Sequence, residues 1–339
     1  MKAMAIRDEW GPENIKAEDR PDPEPGPGEI VMKMEAVSIN PRDLIMSQGG
    51  YGRMGGTLPL VPLCDGAGTV AAMGAGVEGL SEGDLVVPHF SRTWMHGQTN
   101  AAHQVGAHGG PLDGTAQELF SVPARAVVRA PAHMDAAQAA TLPCAAVTAW
   151  NAVVGQGAVK SGNLILLQGT GGVSLFALQF AKMHGAEVII TSSSDEKLEK
   201  AKSLGADHVI NYRETPDWHK PARAISGGEG VDHVVEVGGG GTLDNAIACT
   251  RPGGTISLIG VLSGGMANVN LGRVVTRNVR LQGVTLGSHA LLRDMCRAME
   301  QHGTAPAIEE RRFHIDELGA SLSALPDGKH FGKVIGEFG

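Results

Sequence analysis

The stretch with the most chemical content is Gly169-Thr-Gly-Gly-Val-Ser174, which follows directly on the apolar run Leu164-Ile-Leu-Leu-Gln168. Strand, glycine-rich turn and helix, in that order, form the context in which a Gly-x-Gly-x-x-Gly element holds a dinucleotide pyrophosphate. Gly169 would make the tight turn and Gly171 would let the backbone approach the phosphates. The N–H groups and dipole at the helix start favour that negative charge. The third glycine position is Ser174, small but not glycine. A second stretch, Thr191-Ser-Ser-Ser-Asp-Glu-Lys197, stands about 20 residues further on, where an NAD-preferring site carries an acid for the ribose 2′-hydroxyl. The residue there is Ser192, so no carboxylate repels a 2′-phosphate, and Ser192, Ser193 and Lys197 are suited to receive one. The same serines would also cap the next helix, Ser193 and Glu196 having capping-box spacing. NADP is the expected cofactor and NAD the alternative; nearby Asp195 argues for NAD.

These residues need a parallel sheet to position them. From residue 131 onward helix and strand patterns alternate. Strands are predicted at 164–167, 187–191, 208–210, 232–237, 255–259 and 280–285, and helices at 135–141, 148–154, 173–184, 195–204 and 242–249. Gly185 and Gly205 sit where helix C-terminal glycines belong. Six strands with helices between them imply a doubly wound α/β sheet with its ligand at the carboxyl strand ends. Gly169–Ser174, Ser192–Ser194, Gly238-Gly-Gly and Gly260-Val-Leu all fall at such ends. Residues 1–128 read mostly as β, with runs at 2–7, 30–38, 68–72 and 85–88 that suggest a small barrel. Residues 90–114 form a long, histidine-rich irregular stretch suited to lining a pocket. After 288 come a helix at 291–301, a strand at 308–314, a helix at 316–325 and a strand at 333–338. The expected division is 1–128, 129–288 and a return segment, 289–339.

Composition narrows the function classes. A net charge of −8 with no basic run speaks against nucleic acid or an anionic membrane as partner. The N-terminus turns charged too soon for a secretory signal and no apolar run reaches membrane-spanning length, so a cytoplasmic protein is expected. Cys64, Cys144, Cys249 and Cys296 form no CxxC and read as reduced thiols.

Seven stretches in order and spacing carry a family resemblance over essentially the full length: Ala36-Val-Ser-Ile-Asn-Pro-Arg-Asp43, Asp65-Gly-Ala-Gly-Thr-Val70, Gly83-Asp-Leu-Val86, Ala140-Thr-Leu-Pro-Cys-Ala-Ala-Val-Thr-Ala-Trp150, Gln168–Ser174, Ala201-Lys-Ser-Leu-Gly-Ala-Asp-His-Val-Ile-Asn-Tyr212 and His330-Phe-Gly-Lys-Val334. The chain resembles the medium-chain dehydrogenase/reductase superfamily, especially its zinc-independent alcohol-dehydrogenase-like and quinone-oxidoreductase-like members. The resemblance implies a GroES-like β-barrel catalytic domain split around a six-stranded Rossmann domain. It places Gly169, Gly171, Gly172, Val173 and Ser174 at the pyrophosphate, and Ser192, Lys197 and Tyr212 at the adenosine ribose or its 2′-phosphate. Thr148, Gly238, Val261, Phe331 and Lys333 would lie near the nicotinamide end, and Asn40 by nicotinamide and substrate.

Zinc members of the family surround their metal with a Cys, a His-Glu pair and another Cys. At the matching positions this chain has Asn40, Cys64, Asp65 and Cys144. Cys64, Asp65 and Cys144 supply three formal donors, but the imidazole and one thiolate are missing, so no zinc is expected. The four close cysteines of the family's structural zinc are also missing; His89, His96, His103 and His108 occupy that region. A substrate carbonyl would then be polarised by hydrogen bonds, with Asn40, Tyr51, Trp94 and His96 as candidates. The expected reaction is interconversion of an alcohol and a ketone or aldehyde by hydride transfer. Reduction of a quinone or activated C=C bond is the alternative, and a non-catalytic nucleotide-binding protein is the alternative of another class. The resemblance suggests a homodimer paired through the strand near 279–285.

Overall fold

Two kinds of apolar pattern divide the chain. Leu164–Gln168 and Glu187–Ser192 are near-continuous buried runs, as expected of parallel strands covered on both faces. Lys2–Ile6 and Ile15–Asp19 form an antiparallel ribbon, and Leu119–Pro123 alternates buried and half-buried residues. The computed structural model describes the backbone of residues 1–339 and the side chains of all but Arg53, Met54 and Gln104. Its strands are β1 (Lys2–Ile6), β2 (Ile15–Asp19), β3 (Glu29–Ile39), β4 (Asp65–Met73), β5 (Leu85–Pro88), β6 (Leu119–Pro123), β7 (Val127–Arg129), β8 (Leu164–Gln168), β9 (Glu187–Ser192), β10 (His208–Asn211), β11 (Val231–Glu236), β12 (Thr250–Leu258), β13 (Arg280–Gly283), β14 (Phe313–His314) and β15 (Val334–Glu337).

Contacts divide the chain into one unit of Met1–Val147 with Ser288–Gly339 and a second of Thr148–Gly287. The first unit is organised on β3. It pairs antiparallel with β4, β6 and β15, and the sheet runs β14-β15-β3-β4-β5-β7. Val334 opposite Ile39 and Ile335 opposite Ser38 return the end of the chain to the end of β3. Ile30, Met32, Met34, Val70, Val86, Phe120 and Val122 fill one core.

The second unit is the parallel sheet β10-β9-β8-β11-β12-β13. Strand order reverses between β8 and β11, so their carboxyl ends flank the crevice where such folds bind ligands. Its core joins Leu166, Ile189, Val234, Ile247 and Ile256. The six strands lie where the apolar runs predict them.

The misses have local causes. β2, β6 and β7 are short and partly polar, and pairing partners rather than composition make them strands. The strand expected over 308–314 is reduced to Phe313–His314 and a single bridge, Ile308 opposite Lys333; four charged residues, Glu309 to Arg312, separate them. Helices His219–Ile225 and Leu271–Arg277 lie outside the expected pattern: Pro221 interrupts the first, and the second begins only at its Asn270 cap, which accepts from Arg273 N. The Ala140–Trp150 block contains a π-helical turn, Leu142–Ala146.

Candidate active site and dinucleotide loop

In the second unit, β8 ends at Gln168 and the chain turns at Gly169, φ 74°, a left-handed conformation that suits glycine. A Cβ on Gly169 or Gly171 would meet nothing within 4 Å, so the turn presents an open face. Gly171 is the N-cap of helix Gly172–Met183, whose first intrahelical bond is Leu175 N to Gly171 O. The N–H groups of Gly172, Val173 and Ser174 precede that bond, as anion binding requires. The Ser174 hydroxyl is buried and donates to Gln168 O at 2.6 Å, tying the helix to the strand below it.

No local signal around Gln168 or Glu236 announces the network beneath this loop. Glu236, at the end of β11, is fully buried. It accepts from Gly238 N (2.8 Å), Gly239 N (2.9 Å), Thr242 Oγ1 (2.6 Å) and the Gln168 amide. Gln168 Oε1 in turn accepts from Val237 N and Gly238 N, both at 3.3 Å. A buried carboxylate is tolerable with this many donors, and it locks the ends of β8 and β11 together.

At the end of β9, Ser192 is buried, and its Oγ accepts from Ser194 N at 3.4 Å. The helix cap is Ser194, not Ser193: its Oγ accepts from Lys197 N at 3.4 Å. One residue of offset follows from the strand's running on through Ser192. Asp195, the acid that argued for NAD, accepts from Asn211 Nδ2 at 2.7 Å. Tyr212 is exposed and its N–H donates to Ser192 O. Thr148 is buried and Val261 exposed.

In the first unit a buried polar cluster gathers on the ends of β3, β4 and β15. Asn40 caps helix Pro41–Ser47 with Asp43 in a capping box. Its N–H and Nδ2 both donate to Asp43 Oδ2, at 2.8 and 3.2 Å, and Nδ2 also reaches Asp65 Oδ2 at 2.9 Å. Lys333 Nζ donates to Asn40 Oδ1 at 2.5 Å, Ile39 O at 3.0 Å and Asp65 Oδ2 at 3.3 Å. Asn40, Asp43, Asp65 and Lys333 are all buried. Burial raises the Asp65 carboxyl to about 6 against the pull of Lys333 and Asn40.

Cys64, Asp65 and Cys144 bring their Sγ and carboxylate atoms within 4.8 Å of one another. Cys64 precedes β4 and follows Leu63, φ 74°. Two glycines hold that strained turn: a Cβ on Gly109 would come within 2.6 Å of the Leu63 carbonyl, and one on Gly114 would clash with its oxygen. Cys144 lies in the π-helical turn. Arg42 stands beside both sulfurs. Burial works against its charge, but Cys64, Asp43 and Cys144 together hold its proton more firmly than usual. Its guanidinium packs 4.4 Å over Phe90 and 5.9 Å from the Tyr51 ring, and Nη1 donates to His108 O at 3.3 Å. Burial first raises the Tyr51 phenol, which stays protonated near neutrality.

Of the four polarising candidates, Asn40 and Tyr51 belong to this group of contacts. Trp94 belongs to another: its indole N–H donates to Gly97 O at 3.0 Å and its ring stacks on His103. His96 is exposed. Phe331 N donates to Glu309 Oε2 at 2.8 Å. Arg42 is the residue that sequence reasoning passed over; an arginine inside the Asn-Pro-Arg-Asp motif was its only signal.

Two thiols and a carboxylate suit zinc as donors. The rest of the cluster does not. Asp65 Oδ2 already carries an ammonium and an amide, Arg42 sets a second cation against the sulfurs, and burial pushes the Cys64 thiol well up, away from the thiolate that binds metal. A dication would have to displace or face both cations.

Comparison with known proteins gives the family. Residues 26–132 match the alcohol dehydrogenase GroES-like domain and residues 172–301 the zinc-binding dehydrogenase family. A zinc-type alcohol dehydrogenase-like protein of Schizosaccharomyces pombe is 44% identical over 315 residues, 91% of this chain and 90% of its own. The crystal structure of an NAD-dependent alcohol dehydrogenase superposes with a TM-score of 0.92 at 32% identity, covering 100% of both chains. A mycobacterial protein complexed with NADPH gives 0.82 at 28% identity, covering 99% of each. With a GroES-like domain, a Rossmann-type sheet and relatives of this kind, the chain belongs to the medium-chain dehydrogenase/reductase superfamily, among its alcohol dehydrogenase-like oxidoreductases.

Proposed function

We propose that the protein is an NADPH-preferring oxidoreductase that interconverts a small alcohol and its ketone or aldehyde without a catalytic zinc. The observation that carries this reading is Lys333: its ammonium sits on Asp65 and Asn40, two of the four positions matching the family's metal site. A fixed cation there is the alternative to a metal for balancing the buried acid.

The nicotinamide supplies the hydride when bound. The chain's own residues bind and polarise. Gly169, Gly171, Gly172, Val173 and Ser174 would hold the pyrophosphate through backbone N–H groups. Ser192, Ser193, Lys197 and Tyr212 would take the ribose and its 2′-phosphate. Thr148, Gly238 and Val261 in the second unit, and Asn40, Phe331 and Lys333 in the first, keep the nicotinamide-end roles that family resemblance gives them. Arg42 and the Tyr51 phenol are the donors suited to a substrate oxygen, and Tyr51 is suited to pass it a proton. Arg42 also favours a second reading, reduction of a quinone or activated C=C bond, because a guanidinium stabilises the enolate that such hydride addition forms.

No helix among the described residues is long and apolar enough to cross a membrane. The open edge of β13, with Leu271, Val275 and Leu281 exposed beside it, suits pairing with a second copy, and a homodimer is part of the proposal.

The test is oxidation of NADPH and NADH by purified protein with ketones, enones and quinones, with and without a chelator. NADPH turnover with a carbonyl, insensitive to chelation, is expected. Loss of activity on chelation overturns the metal-free reading, NADH preference overturns the roles of Ser192 and Lys197, and binding without turnover on any class overturns the enzyme reading.

A further inference from the structure

We propose that Cys64 and Cys144 are a peroxide-sensitive thiol pair that closes to a disulfide within the cluster and so switches the enzyme off reversibly. The pair is set apart from the other two cysteines. Cys249 and Cys296 are buried singly, the first against Ala246 O, and burial pushes both to about 12. Cys64 and Cys144 come from distant parts of the chain, yet their sulfurs lie within 4.8 Å, close enough to interact as hydrogen-bonded thiols. Both sit in irregular backbone, Cys64 after the left-handed Leu63 and Cys144 in a π-helical turn, so neither is held by a regular ladder against a small approach. A disulfide needs the sulfurs to close from this separation to about 2.05 Å.

The two thiols differ in access. Cys144 is partly exposed and Cys64 is fully buried. A peroxide therefore meets Cys144 first. The Arg42 guanidinium beside both sulfurs supports the charge that develops on the leaving oxygen. The Cys144 thiolate attacks one peroxide oxygen and the O–O bond breaks. Sulfenic acid forms, and the departing hydroxide leaves as water with the proton the thiol released. The Cys64 sulfur then attacks the sulfenic sulfur; the S–O bond breaks, and hydroxide leaves as water with the Cys64 proton. Two electrons pass from the two thiols to one peroxide. The product removes the hydrogen that Cys64 Sγ donates to Asp65 Oδ1 over 3.7 Å. A dithiol reverses it. The disulfide itself stands on the cysteine pair, whereas its effect on turnover rests on the activity proposed above.

The test is treatment of the full-length protein with graded hydrogen peroxide, followed by alkylation of the remaining thiols and peptide mass spectrometry. Loss of the Cys64 and Cys144 thiols together is expected, with a peptide joining them, while Cys249 and Cys296 stay alkylatable. Dithiothreitol should restore both thiols and any NADPH-linked activity lost. In Cys64→Ser, Cys144 should instead run on to sulfinic acid, which dithiothreitol does not reverse; in Cys144→Ser, Cys64 should stay reduced at the same dose. Four alkylatable thiols after treatment, a cross-link involving Cys249 or Cys296, or over-oxidised Cys144 with no cross-link in the unsubstituted protein would each overturn the proposal. The cross-link assay is on the unsubstituted chain, so it decides the matter even where a serine variant does not fold.

Discussion

Lys333 donates to Asn40 Oδ1 at 2.5 Å and to Asp65 Oδ2 at 3.3 Å, across sequence separations of 293 and 268 residues, and all three side chains are buried. One ammonium thereby ties the returning C-terminal segment to the end of β3 and the start of β4, and it supplies positive charge within the cluster. A buried charge left without its partner is costly, whereas the intact pair is close to neutral in net stability.

Replacing Lys333 with Met is therefore expected to destabilise the protein by about 3–5 kcal/mol, because Asp65 is left uncompensated in an apolar setting. The double variant Lys333→Met with Asp65→Asn should recover a large part of that loss. Urea unfolding of the single and double variants measures it; equal losses in both would show that the ammonium acts through packing alone.

Asp65 also predicts a pH dependence. Its folded pKa of about 6 lies above the ordinary 3.8, so between those values the folded state binds the proton more tightly than the unfolded one. Its contribution to stability is greatest below pH 3.8 and declines as pH rises to about 6, by on the order of 3 kcal/mol in all. The stability difference between wild type and Asp65→Asn, followed by denaturant titration from pH 4 to 7, should move by that order in favour of the variant. A flat difference would mean that Asp65 keeps an ordinary pKa.

Glu236 accepts four hydrogen bonds from the loop that follows β11 and from Gln168. Glu236→Ala strands these donors, and hydrogen bonds to a charged group are worth about 1.5–3 kcal/mol each, though not additively. Stability should fall by at least about 3 kcal/mol, and amide exchange of Gly238 and Gly239 should rise. Unchanged exchange at those two amides would remove the carboxylate from its organising role.

Ser192→Asp places a carboxylate where a 2′-phosphate would lie. NADPH affinity should drop roughly 10- to 100-fold, the equivalent of one charge-assisted hydrogen bond, with NADH affinity kept. Ser174→Ala should leave both affinities alone and cost about 1 kcal/mol of stability, because its hydroxyl donates to Gln168 O. Calorimetric titration checks both, and a matching loss of NADH binding in Ser192→Asp would indicate general damage rather than phosphate discrimination.

Leu281→Lys on β13, combined with Val275→Glu beside it, should convert a dimer to monomers in analytical ultracentrifugation. Both residues are exposed at the open end of the parallel sheet. A wild-type chain that sediments as a monomer at micromolar concentration would sink the homodimer.

The sequence by itself determined the parallel sheet, its glycine turn and the family, because these rest on local signals. Apolar runs of strand length, Gly169 and Gly171 after one of them, and helix-stopping glycines act over a few residues and read directly. What the tertiary structure decided is which polar groups meet. Lys333, Asn40 and Asp65 are joined by strand pairing between the two ends of the first unit, and nothing local to any of them announces it. The same holds for Glu236 beneath the glycine loop and for Arg42 against two cysteines. The turn of the Trp94 N–H to Gly97 and the exposure of His96 are likewise outcomes of loop packing. Ser174 shows both halves. Its place in the turn is fixed by sequence, while its role as a tie to Gln168 follows from the helix lying directly on the strand that precedes it.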